Sequence, residues 1–144
     1  MEIFQFLGRN VPPTNISARL VQSSYKRRMD MQARIIDYEK WIEPQAIDNY
    51  VRWKKEYDKH QERPIYLGIF LLTHKEQVFD MVEVWKTILH SLNQYDYFHF
   101  DDNAHQVIPV HLGSKKVWKA EKSGFIMCIL PPSYKEDVSG ILGL

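Results

Sequence analysis

The sequence predicts an α+β fold, with an N-terminal helical hairpin followed by a β-α-β unit and an antiparallel β-meander in one mixed sheet. Three patterns predict it. The first half carries apolar residues at helical spacing. The middle holds an almost unbroken apolar run over residues 64–72, followed at once by a second helical pattern. The last third holds short apolar or aromatic runs separated by Gly, Asn, Asp and Pro.

Taken in order, the 144 residues divide into a peripheral arm (1–14), the hairpin (15–62), the sheet with one crossover helix (64–130) and a tail (131–144), all in one domain. Residues 2–7 alternate weakly, as in a short edge strand, before Gly8-Arg9-Asn10-Val11-Pro12-Pro13 interrupts regular structure. A helix then carries Leu20, Val21, Tyr25, Met31, Ile35, Tyr38 and Ile42. Pro44 is unfavourable inside a helix and favourable in a first turn, so a joint is expected at 41–43 and a second helix over 44–60. Ala46, Tyr50, Trp53 and Tyr57 would form the stripe of that second helix, flanked by Ile47 and Val51.

The apolar run at 65–72 reads as a strand buried on both faces. Thr73-His74-Lys75-Glu76 has the spacing of a capping box, so the next helix is expected over 74–92, with Val78, Val82, Trp85, Leu89 and Leu92 inward and Phe79, Met81 and Ile88 widening the stripe. Residues 95–100 suit a strand parallel to the first, joined to it by a right-handed crossover. Residues 106–112 make a strand that Pro109 confines to an edge or a bulge. With 116–121 and 125–130 it would complete the meander, and Pro131-Pro132 ends the sheet.

Composition bounds function. The net charge of +1, from 19 basic and 18 acidic residues, argues against a dedicated phosphate surface unless the charge is segregated. The lone Cys128 sits in an apolar strand, offers no intramolecular disulfide and suits a reducing interior. There is no secretory leader pattern and no run of the ~18 apolar residues a span requires, so the expectation is a cytoplasmic or otherwise intracellular protein, with a virion as a further location. No Gly-x-Ser-x-Gly and no glycine-rich phosphate loop occurs, which leaves no catalytic residue and no cofactor expected.

Three candidate surfaces remain. The first is a protein-interaction surface made by terminal and helical apolar residues: Ile3, Phe4, Phe6, Tyr50, Trp53, Tyr57, Ile141 and Leu142. It would make the chain a non-enzymatic assembly subunit, a homo-oligomer or larger array such as a virion or phage component, whose N-terminal arm pairs with an exposed strand edge. The second is a nucleic-acid surface on the helical region, with Lys26, Arg27, Arg28, Lys54 and Lys55 on phosphates and Tyr25 or Trp53 on bases. A second basic group, Lys115, Lys116, Trp118, Lys119 and Lys122, would strengthen it if the two lay together. The third is a metal-dependent hydrolase using His99, Asp101, Asp102, His105 and His111, which are ligand types for zinc or manganese without a diagnostic spacing.

Pro131-Pro132-Ser133-Tyr134 matches the Pro-Pro-x-Tyr pattern. It resembles the ligand of WW domains and the late-budding motifs of some viral matrix proteins, which implies a proline-rich segment docking on an aromatic groove. The residues themselves also fit a strand terminator followed by a packed tyrosine.

Overall fold

In a computed structural model the described residues are 2–10, 25–60, 62, 64–75, 81–93 and 107–143. They form β1 (Phe4–Leu7), α1 (Tyr25–Lys59), β2 (Ile65–Thr73), α2 (Met81–Asn93), β3 (Val107–Lys116), a short 3-10 turn (Ala120–Lys122), β4 (Gly124–Ile129) and α3 (Ser133–Leu142). The four strands make one mixed sheet in the order β1-β4-β2-β3. β2 is parallel to β3 and antiparallel to β4, and β1 is antiparallel to β4. The α+β class therefore holds. No helix among the described residues is long and apolar enough to cross a membrane.

The sheet's two-residue period decides its faces. Ile65, Leu67, Ile69 and Leu71 of β2, with Phe125, Met127 and Ile129 of β4 and Phe4 and Phe6 of β1, are buried beneath the helices. Tyr38, Ile42, Ala46 and Trp53 of α1 and Val84, Ile88 and Leu92 of α2 complete that core. Phe6 stacks on Phe125 at 4.7 Å, and Phe4 meets Trp53 edge-on at 5.2 Å. The opposite face, including Tyr66, Phe70, Leu72, Val110 and Ile126, is only half-buried. β2 is thus not buried equally on both sides: among the described residues, α1 and α2 pack on the side of Ile65, Leu67, Ile69 and Leu71.

Among the described residues the expected joint at 41–43 is not formed, and with it the helical hairpin. α1 runs unbroken for 35 residues through Pro44. Proline there removes the donor that would satisfy the Lys40 carbonyl, at a cost near 3 kcal/mol. Tertiary packing offsets it: Tyr38 and Ile42 before the proline and Ala46 and Trp53 after it bury on one line, while Pro44 faces solvent. In α2, Ile88 and Leu92 are buried as expected and Trp85 and Leu89 pack partly buried against the core, but Val84, not Val82, is the third buried apolar residue, and Val82 is exposed. Thr73 stays in β2 and His74 and Lys75 bend, so the helix does not start at His74.

β2 and β3 pair in parallel, with Ile65 opposite Val107 and Thr73 opposite Lys116, and α2 lies between them in the chain. Residues 95–100, expected to supply that second strand, lie outside the described residues. The antiparallel meander is replaced by a parallel β3 that continues through Gly113 and Ser114. A bulge beside Ile69 and Phe70 absorbs the extra residue and lets Gly113 sit at φ +131°, so the chain does not turn there. Residues 118–122 form turns, not a strand. Pro109 does lie in a strand at the edge of the described sheet, where its missing N–H costs no ladder bond.

Candidate functional site

The topology places three connections at one end of the sheet: β1 and β2 end there, β3 ends there, and β4 begins there. Backbone bonds lock the connections together. Gly8 N–H donates to Ser123 O at 2.7 Å, Val117 N–H to Thr73 O at 2.9 Å, and His74 N–H to the Asn10 side-chain oxygen at 3.0 Å. The turn over 119–123 closes on itself through Lys122 N–H to Lys119 O and Ser123 N–H to Ala120 O. Gly124 at φ +145° permits the close crossing over β1, where any Cβ would overlap the Phe6 carbonyl.

Among the described residues, six exposed basic ones stand on this frame, Arg9, Lys75, Lys115, Lys116, Lys119 and Lys122, against one exposed acid, Glu121. With a whole-chain charge of only +1, the remainder of the molecule is net acidic. Trp118 stands directly before the turn over 119–123, between Lys116 and Lys119, and is 88% exposed. Sequence reading singled out Trp118 and its four lysines but missed Arg9 and Lys75, which reach the same end only through strand pairing. The arrangement can neutralise several anionic groups while presenting an indole face.

The expected partner residues separate. Phe4, Phe6 and Trp53 belong to this chain's own core, so they are not a free contact surface, and the peripheral arm is instead β1, paired with β4. Tyr57 half-buries against Trp53 at 5.8 Å, and Tyr50 is half-buried. Ile3, Ile141 and Leu142 are exposed. The tail is helical in α3 and ends on a left-handed Gly143. β1 does not seek a foreign edge, because α1 covers its own: Gln45 Oε1 accepts from Leu7 N–H, Asn49 Nδ2 donates to Gln5 O and Arg52 Nη2 donates to Ile3 O. Arg52 also pairs with Glu2 at 2.6 Å, which lowers the Glu2 carboxyl below its ordinary pKa.

Lys54 and Lys55 are exposed on α1, beyond Arg52 and so at the opposite end of the sheet from the lysine-rich turn. Lys26, Arg27 and Arg28 belong to the first turns of α1, their side chains outside the described residues. His99, Asp101, Asp102 and His105 also lie outside them. His111 is exposed on β3, with its ring 6.3 Å from that of Trp85. Burial raises the Cys128 thiol pKa, the opposite of what a nucleophile requires.

At the Pro-Pro-x-Tyr segment, Pro132 is in the α conformation and Ser133 opens α3. Tyr134 rests on Tyr66 at 5.3 Å. An extended proline helix would need that first turn unwound, so the fold uses the segment to end the sheet and pin α3. A shallow pocket beside it is lined by His60, Glu62, Tyr66, Leu130, Pro131 and Pro132. No protein-family model, curated protein or solved structure matches this chain.

Proposed function

We propose that this chain is a non-enzymatic interaction and assembly subunit whose ligand-facing surface is the basic end of the sheet, engaging single-stranded nucleic acid. The observation that carries the ligand is Trp118, exposed in the β3–β4 connection between Lys116 and Lys119 on a hydrogen-bonded frame. An exposed indole is costly to leave in water and serves as a stacking platform for any base, while lysines around it take successive phosphates without reading sequence. This moves the nucleic-acid surface from the helical lysines to the turn after β3. The assembly half of the reading is supported by exposed apolar side chains that the core does not use, on α1 and at Ile141 and Leu142.

The test is fluorescence anisotropy with a labelled single-stranded oligonucleotide of about 20 nucleotides, across a salt series. Trp118→Ala should weaken binding about tenfold, within the 1–3 kcal/mol of a stacked base. Lys115→Glu with Lys116→Glu should weaken it further and reduce the salt slope by roughly 1 to 1.5. Absence of wild-type binding at about 50 mM salt sinks the ligand assignment, as does equal loss on reversing Lys54 and Lys55.

A further inference from the structure

The outward side of α1 carries a second periodic pattern, distinct from the buried one. Met29, Ala33, Ile36, Lys40, Glu43, Ile47, Tyr50 and Lys54 follow one another at alternating steps of four and three residues. That is the heptad spacing of a coiled-coil seam. It lies away from Tyr38, Ile42, Ala46 and Trp53, which bury against the sheet and α2. Ile36 is 51% exposed and Ile47 is 47% exposed, Met29 and Val51 are exposed too, and Glu43 and Tyr50 are half-buried. Neither Lys40 nor Glu43 is in an ion pair among the described residues.

We propose that a second copy of this chain covers this seam, the two α1 helices pairing antiparallel about a two-fold axis that passes between Lys40 and Glu43. The sequence of the seam selects that partner and that direction. A two-fold contact requires that if one residue meets another, the reverse also holds. Centred between Lys40 and Glu43, the antiparallel seam places Ile36 on Ile47 of the second copy, Ala33 on Tyr50 and Met29 on the alkyl stem of Lys54. Each apolar position then meets an apolar surface, and the small Ala33 meets the large Tyr50. At the centre, Lys40 meets Glu43 of the second copy twice.

A parallel pair in register would instead stack Lys40 on Lys40 and Glu43 on Glu43, and like charges in one layer disfavour it. The complete seam spans roughly 38 Å at 1.5 Å per residue. Because the central layers are ionic, the dimer is set in direction by charge and held by the isoleucines on either side.

This inference rests on the assembly half of the proposed function and specifies its first contact. Sedimentation equilibrium of the full chain, up to about 200 μM, should give a monomer–dimer equilibrium. Lys40→Glu alone or Glu43→Lys alone should raise the dissociation constant about tenfold, and the two together in one chain should restore it to within about threefold. Far-UV dichroism of every variant reports whether the fold is kept. Independently, mixing an Ile36→Cys chain with an Ile47→Cys chain under mild oxidation should give the mixed disulfide in excess over either homodimer.

A dimer indifferent to both single reversals, or one cross-linked as the Ile36→Cys homodimer, overturns the antiparallel seam but leaves self-association standing. A wild type that stays monomeric throughout overturns both. Oligonucleotide binding by the Lys40→Glu variant tests the basic end separately from the dimer.

Discussion

The amide of Leu7, on the outer edge of β1, donates to the Gln45 side-chain oxygen of α1 at 2.7 Å. Asn49 and Arg52, four and seven residues further along the helix, take the carbonyls of Gln5 and Ile3 on the same edge. A polar stripe of one helix thus satisfies the strand groups that would otherwise be available to another chain, the edge problem that sheets must solve. Arg52 also lies 5.1 Å from the Phe4 ring centroid, so its guanidinium covers the core as well as the edge.

It follows that removing residues 1–10 will not release an intact subunit. Phe4 and Phe6 are fully buried. Replacing one such phenylalanine by alanine costs roughly 3–5 kcal/mol, and total domain stability is about 5–15 kcal/mol. Phe6→Ala should lower the urea midpoint sharply with an unchanged slope, and the truncated chain should lose cooperative melting. A truncated chain that melts cooperatively near the wild-type temperature would show β1 to be dispensable.

Pro44→Ala should stabilise the protein. The substitution restores a donor to the Lys40 carbonyl and suits an exposed helix interior, an intrinsic gain near 3 kcal/mol. The proline's restriction of the unfolded chain returns about 1 kcal/mol of that, leaving a gain of roughly 2 kcal/mol in urea unfolding. Destabilisation would mean that the local bend is needed to seat Tyr38 and Trp53 at once.

Tyr38 gives a pH-dependent signature. Its hydroxyl is buried without a hydrogen-bond partner among the described residues, and burial raises its pKa well above the ordinary value. The folded state therefore retains a proton that the unfolded chain gives up near pH ~10. The tyrosine's contribution is intact below that pH and is lost as pH rises toward the folded pKa. Tyr38→Phe should leave stability at pH 7 unchanged or improved by up to about 1 kcal/mol, since an unsatisfied hydroxyl is removed. It should also flatten the decline above pH ~10 relative to wild type; parallel curves would place the hydroxyl in contact with water.

The sequence by itself determined the α+β class, the apolar core of β2, the strand character of residues 107–112 and 125–129, and that Pro109 sits at an edge or a bulge, an edge among the described strands. These follow from local period and composition, which a helix or strand expresses wherever it packs. Tertiary structure alone decided that α1 continues through Pro44, because burial on both sides of the proline outweighs its local cost. It alone decided that Phe4 and Phe6 pack inward, since a short alternating strand has the same pattern whether it pairs with its own β4 or with a neighbour. The gathering of Arg9, Lys75 and the lysines around Trp118 also lay beyond the sequence. Residues more than a hundred positions apart meet there because strand order is fixed by long-range pairing, and a net charge near zero conceals how that charge is distributed in space.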